Sequence, residues 1–451
     1  MPTEPMCLIQ EKLSWKVLPR NWLIILKYRK LIWGNFYKIM NHLVKIKSVI
    51  NKVFDDNIEL LPSVNELFEL ELAYLEYKCL PQESLLERTA YIKSINNQFS
   101  KHYLLYSRQS EGLHDNRSLL TQTYFEEGQF STGYATHGLF PYRGKFHPQL
   151  IKGLINILGI DSGELILDPM AGSGTTNIEA ALMGIDSYAI DVSPFCQFMI
   201  KTKYQALTID LNLFKNSPVN AQKFFTYFKK GNVIERIEKI GDPDKIKIYN
   251  LAFLAYLDAL GYSKRVIKSN HEQLFEKVLH RYIETIKSFL ANPYYNLNNI
   301  GKLEILHNSE ALQIKIENDS VDCVITSPPY SFAIDYVEND REQLEFLGYN
   351  TKELKNKLIG LKGRTKKEKL ENYFADMDKF CSEVSKVLKK GRFFVIIIGS
   401  NTNQTGGIRL EETIINSSEK YNMPLIKTIL KPIKGMRNTM KNEYILIFER
   451  H

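Results

Sequence analysis

Leu165-Ile166-Leu167-Asp168-Pro169-Met170-Ala171-Gly172-Ser173-Gly174-Thr175-Thr176 is the stretch from which the fold is read. Its apolar start, with no polar alternation, predicts a parallel strand buried on both faces. Gly172 and Gly174 in the turn that follows let the backbone approach a ligand that a β-carbon would exclude. A helix is expected from about Thr175. The third glycine of the dinucleotide fingerprint is missing, with Asn177 in its place, so the turn alone is a weak signal. The next apolar stretch, Ser187-Tyr188-Ala189-Ile190, ends in Asp191, 23 residues after Asp168. That is close to the roughly 20-residue interval at which a doubly wound α/β fold presents an acid to ribose hydroxyls. No Lys or Arg lies between Glu164 and Asp191, and a cationic ligand suits such a turn better than a pyrophosphate.

A second strand-to-turn junction is Val321-Asp322-Cys323-Val324-Ile325-Thr326-Ser327-Pro328-Pro329-Tyr330. Two consecutive prolines hold φ at about -65° and remove two backbone donors, leaving carbonyls with no competing N–H. Ser327 adds a hydroxyl and Tyr330 a ring. An ordinary Pro-Pro turn at the end of a buried strand is the plain reading. The chemical one starts from an exocyclic amine on a base, whose lone pair is conjugated into the ring. A side-chain oxygen and a backbone carbonyl, each accepting one amino hydrogen, favour a tetrahedral nitrogen facing an electrophile, while a tyrosine stacks on the base.

Ser327-Pro328-Pro329-Tyr330 after a strand resembles the catalytic motif of the S-adenosylmethionine-dependent amino-methyltransferases that act on DNA, of cytosine-N4 and adenine-N6 type. The Ser-first form is the one usual in cytosine-N4 enzymes. The glycine turn resembles the same family's cofactor motif, Asp-Pro-Phe-x-Gly-Ser-Gly-Thr-Thr. Met170 stands where Phe is usual, and a flexible thioether fills similar apolar space. The resemblance implies that Asp168, Pro169, Met170, Gly172, Gly174 and Thr175 surround S-adenosylmethionine, with Asp168 towards the sulfonium and amino end and Asp191 at the ribose. It also implies that Tyr142, Lys145, Phe146 and Pro148, in the aromatic and basic segment His137 to Pro148, fold over the methionine end. Asn308 takes the place of an Asp that meets the adenine amino group, which an amide oxygen can also do. Asp335 and Tyr336, past the catalytic turn, are candidate substrate contacts, although Asp335 also reads as a helix cap. Arg437, in Met436-Arg437-Asn438-Thr439, resembles the basic loop beside the target base.

The remaining elements fit a doubly wound, Rossmann-like methyltransferase sheet. Helical patterns cover Gln149 to Leu158 and Met377 to Leu388, and Arg392 to Ser400 and Asn442 to Phe448 read as strands. An antiparallel C-terminal hairpin is implied by the resemblance. The catalytic domain is expected over 131–200 and 301–451, with a helical insert at 201–300 as candidate target-recognition region. The insert falls between the glycine turn and the proline corner, as in one permuted class of the family. Residues 1–130 are expected to be helical and basic, with 60–100 helical and Leu67, Leu70, Leu72 and Leu75 in its core. From Lys12 to Phe54 there are ten Lys or Arg and no acid, with Trp15, Trp22, Tyr28, Trp33, Phe36 and Tyr37 interleaved. That composition suits either a phosphate-tracking arm or a packing arm with a solvated face. The clusters Lys229-Lys230, Lys264-Arg265 and Lys362 to Lys367 name no base-reading residue.

The 451 residues, 44% hydrophobic, allow two or three domains, and the net charge of +8 has the sign of a nucleic-acid partner. Cys7, Cys79, Cys196, Cys323 and Cys381 lack paired spacing, which argues against a disulfide framework or zinc site and for a reducing, cytoplasmic setting. None follows a proline, so the Pro-Cys nucleophile of a cytosine-C5 mechanism is absent, and Cys323 reads as core. No apolar run approaches the roughly 18 residues of a membrane span. The expected activity is methyl transfer, without metal, to the exocyclic amine of a base flipped out of double-stranded DNA, cytosine N4 favoured. A cognate restriction endonuclease is a candidate partner. The competing readings are adenine N6, an RNA base, and a non-catalytic nucleic-acid clamp.

Overall fold

The computed structural model describes residues 52–106, 133–142, 144–210, 221–265, 270–329, 335–399, 408–433 and 442–451. The basic stretch before residue 52, Tyr330 and Arg437 lie outside the described residues.

Strands β1 (Ile58–Leu60), β2 (Ile92–Ile95) and β3 (Gln98–Phe99) form a small antiparallel sheet. The expectation of a wholly helical 60–100 is therefore corrected. Helix α1 (Leu67–Cys79) is present, but Asn96 and Asn97, at φ 49° and 67°, turn the chain back into a hairpin. Asn tolerates this left-handed backbone better than most residues, which is what a tight hairpin requires.

The principal sheet has seven strands: β4 (Leu165–Asp168), β5 (Asp186–Ala189), β6 (Leu303–Ile305), β7 (Val321–Thr326), β8 (Leu388–Gly399), β9 (Leu425–Pro432) and β10 (Asn442–Glu449). Their order is β6-β5-β4-β7-β8-β10-β9. The first five run parallel, and β10 is antiparallel to both β8 and β9, which gives the C-terminal hairpin. All six residues of β7 are buried, as a central parallel strand covered on both faces demands. On one face Ile166, Cys323, Ile325 and Val395 pack with helix α2 (Pro148–Ile157) and the N-terminal region. On the other, Leu167, Val324, Phe394 and Ile396 pack with helix α7 (Lys366–Val387) and helix α8 (Leu410–Lys420). Neighbouring residues of one strand thus enter opposite cores, the period-2 consequence of the pleat.

Helices α3 (Thr175–Leu182) and α4 (Pro194–Ala206) follow β4 and β5. The insert is helical, with α5 (Pro243–Arg265) and α6 (His271–Leu290) as its long members. It leaves after α4 and the chain re-enters the sheet at β6, so the insert lies between β5 and β6, the first and second strands after the glycine turn. Its core is aromatic: Phe228, Phe253, Tyr256 and Phe275 are buried together. Phe346, from the short helix Arg341–Phe346 beyond the proline corner, packs against this cluster. Gln343 of that helix donates to the Leu257 carbonyl at 3.1 Å, across from Gly261, where a β-carbon would lie 2.2 Å from the Gln343 amide nitrogen.

At the start of the parallel strands Asp322, 3% exposed, accepts from Lys389 at 2.8 Å and from the Leu165 N–H at 3.0 Å, with Arg392 3.3 Å away. This cluster ties β4, β7 and β8 together at the end away from the turns. Among the described residues no helix is long and apolar enough to cross a membrane.

Candidate active site

Strand order reverses between β4 and β7, and in open α/β sheets the crevice beyond such a switch point is where ligands bind. The two strands are adjacent and in register, Ile166 against Cys323 and Leu167 against Val324, so the glycine turn and the proline corner leave the sheet side by side. Thr326, the last residue of β7, donates its hydroxyl to Asp168 Oδ1 at 2.7 Å, and the Met170 N–H reaches the same oxygen at 3.2 Å. Among the described residues Asp168 Oδ2 has no partner of hydrogen-bonding geometry. Burial raises this carboxyl to about 6, opposed by the Thr326 and Thr176 hydroxyls.

An open cleft lies over both turns. Gly172, Asp191, Ser327 and Pro329 all line it. Asp191 holds the turn by accepting the Gly172 and Ser193 N–H groups, each at 2.8 Å. Each carboxylate oxygen keeps a further lone pair for a hydroxyl donor. Burial raises Asp191 to about 6, while those two N–H groups pull it down. Gly172 has φ 52°, and a β-carbon there would meet the Tyr142 ring at 3.4 Å. Gly174, at φ 76°, faces away from the cleft, where a β-carbon would come 2.8 Å from Ile200 of α4.

The segment before α2 forms the opposite wall. Tyr134 donates to Glu179 of α3 at 2.6 Å, and His137 Nε2 lies 2.7 Å from the same oxygen. Lys145 donates to the His137 carbonyl at 3.0 Å, and burial lowers its ammonium pKa. Tyr142, Lys145 and Phe146 line the cleft. Tyr142 stacks on Tyr336 with ring centroids 6.4 Å apart and planes 14° from parallel.

Several expected residues lie off the lining. Pro148 is the buried first residue of α2, Pro328 is buried behind the corner, and Asn308 is exposed outside the cleft. Asp335 caps the helix Tyr336–Asn339, accepting from the Glu338 N–H at 2.9 Å, and pairs with Lys355 at 2.7 Å. The lining also includes Glu310, Leu312, Asp340, Lys357 and Ile359, which no sequence pattern indicated. Only the apolar character of Leu312 and Ile359 distinguishes them, and that is shared with most core positions.

The donor set suits S-adenosylmethionine. Gly172 leaves space along the turn, with the Tyr142 ring beside it, Asp191 lines the cleft with acceptor capacity to spare, and Asp168 lies buried behind the lining at the end of β4. Residues 139–391, more than half of the chain, match UPF0020, RMKL-like, methyltransferase domain. Among curated proteins, the type II methyltransferase M.BsoBI of Geobacillus stearothermophilus is 23% identical over 289 residues, 50% of this chain and 55% of that one. The type II methyltransferase M.AvaI of Nostoc sp. is 25% identical over 334 residues, 64% of this chain and 68% of that one. A tRNA (guanine(10)-N2)-dimethyltransferase of Methanothermobacter thermautotrophicus is 40% identical over 53 residues, 12% of this chain and 16% of that one. The chain thus spans about half the length of M.BsoBI. On the match over 139–391, the chain belongs to the UPF0020 family, RMKL-like, methyltransferase domain, with S-adenosylmethionine as its methyl donor.

Proposed function

We propose that this protein methylates the exocyclic amine of a base in double-stranded DNA, with cytosine N4 the favoured acceptor. The observation that carries the reading is the single cleft lined by Gly172 and Asp191 on one side and Ser327 and Pro329 on the other. The likeness to type II methyltransferases supports DNA as substrate. When bound, S-adenosylmethionine supplies an electrophilic methyl carbon on a sulfonium. Asp191 takes the ribose hydroxyls, and Tyr142, Lys145 and Phe146 enclose the methionine end. The carboxylates of Asp168 and Asp191 favour a cation over the neutral product. Ser327 accepts one amino hydrogen of the target base and a carbonyl of the proline corner the other, which turns the nitrogen lone pair towards the donor. Tyr330, assigned from the motif alone, stacks on the base. A base still within the duplex cannot bring its amine to this cleft, so it must be flipped out.

The test is mass spectrometry of nucleosides from unmodified duplex DNA incubated with the protein and S-adenosylmethionine. N4-methylcytosine is the expected product. N6-methyladenine alone overturns the cytosine assignment. The likeness to the tRNA enzyme favours an RNA base as the second reading, and preferential methylation of transcripts over duplex DNA in direct competition would establish it instead.

A further inference from the structure

Phe140 is a non-glycine residue at φ 61°, in the left-handed region that costs an ordinary side chain roughly 1–2 kcal/mol. It persists only if its surroundings fix it. Its ring is buried, edge-on to Phe195 with centroids 4.9 Å apart. Its carbonyl accepts the N–H of Tyr142 at 2.9 Å, so the backbone of the cleft tyrosine is tied to it. Its own N–H is donated to the hydroxyl of Tyr282 at 2.7 Å, a contact spanning 142 residues. Tyr282 belongs to α6 of the insert and is fully buried. It donates in turn to Asp258 of α5 at 3.0 Å, and Arg281 donates to the same carboxylate oxygen at 2.9 Å. Three bonds therefore run in series from the centre of the insert to the wall of the donor cleft.

We propose that Tyr282 is a positioning residue for the methyl-donor site: it clamps Phe140 in its left-handed conformation and thereby holds Tyr142 over Gly172. The insert then completes the donor pocket, whatever part it takes in reading the target. The inference rests on the assignment of this cleft to S-adenosylmethionine. Among the described residues the Tyr282 hydroxyl is the acceptor of the Phe140 N–H, and removing that oxygen takes the partner from this donor. The backbone then gains by rotating out of the left-handed region, and the Tyr142 N–H moves with the carbonyl that accepts it.

Tyr282→Phe removes one oxygen and keeps the ring. The measurement is isothermal titration with S-adenosylmethionine, paired with hydrogen exchange over the peptide 137–145 and over helices α5 and α6. The expected result is a dissociation constant raised about tenfold, the scale of one buried donor left unpaired. Exchange should quicken in 137–145 alone, and turnover at saturating donor should stay near that of the unsubstituted protein. A folded variant with unchanged donor affinity overturns the proposal. So does faster exchange spread through α5 and α6, since Tyr282 is then only a core residue. If Tyr282→Phe does not fold, Asp258→Asn keeps the tyrosine and slackens its hold, and a smaller change in the same direction is required. Failure of the unsubstituted protein to bind S-adenosylmethionine instead removes the cofactor reading itself, a result distinct from loss confined to the variant.

Discussion

Two glycines in one turn should fail differently when given the same methyl group. Gly172→Ala and Gly174→Ala each place a β-carbon on a left-handed residue, at φ 52° and 76°, with a shared strain of roughly 1–2 kcal/mol. At Gly174 the new carbon lies 2.8 Å from Cγ1 and 3.1 Å from Cγ2 of Ile200, which is fully buried on α4. Moving a packed isoleucine adds about 1–3 kcal/mol of overpacking, for a total loss of about 2–5 kcal/mol of folding free energy. At Gly172 the nearest atom is Tyr142 Cε1 at 3.4 Å, a contact that needs little adjustment, so the loss stays near the strain alone. That carbon, however, enters the cleft where the donor must lie against the turn. Gly172→Ala should therefore weaken S-adenosylmethionine binding at least tenfold, about 1.4 kcal/mol, with modest loss of stability. Gly174→Ala should melt earlier and, where folded, bind the donor more nearly normally. Urea unfolding and isothermal titration on both proteins measure the two quantities separately. Undiminished donor affinity in folded Gly172→Ala would refute the placement of the ligand along this turn.

Asp191→Ala should abolish most donor binding in titration, because the charge and the acceptor for Gly172 and Ser193 are lost together; unchanged affinity removes the ribose assignment. Ser327→Ala and Tyr330→Ala should retain donor affinity and lose turnover, Tyr330→Ala through roughly 1–3 kcal/mol of base stacking, and equal loss of donor binding would contradict the division of the cleft. Thr326→Val deletes a hydroxyl that holds Asp168 ionised, so the Asp168 pKa should rise above its present value of about 6. Because that pKa already exceeds the unfolded one, the stability linked to its proton is full at acid pH and lost as pH rises through the folded value. The variant should show that loss closer to neutrality, and parallel curves of melting temperature against pH would disprove it.

Short-range chemistry was legible in the sequence, and long-range contact was not. The apolar run into Gly172 and the buried run into Ser327 each specify a strand and the turn at its end, because burial on both faces leaves a local imprint. Their adjacency was an inference from resemblance, and it is the sheet order that brings them together. The N-terminal hairpin was misread since leucines near helical spacing mask the two asparagines that reverse the chain. Asp335 had two readings from sequence, and its bond to the Glu338 N–H makes it a cap. Glu310, Lys357 and Tyr282 left no local trace, because each acts on residues distant along the chain. Phe140 is the clearest case. Its composition suggests an ordinary core aromatic, and only the backbone angle reveals a braced position.

The ionic cluster around Asp322 lies at the far ends of the strands that present the two turns. Ionic bracing and the cleft thereby occupy opposite poles of the same β-strands. Asp322→Asn should lower the melting temperature while leaving the affinity for the methyl donor in place. Charge substitutions at one pole then change the bracing of the strands without touching a residue that lines the cleft at the other.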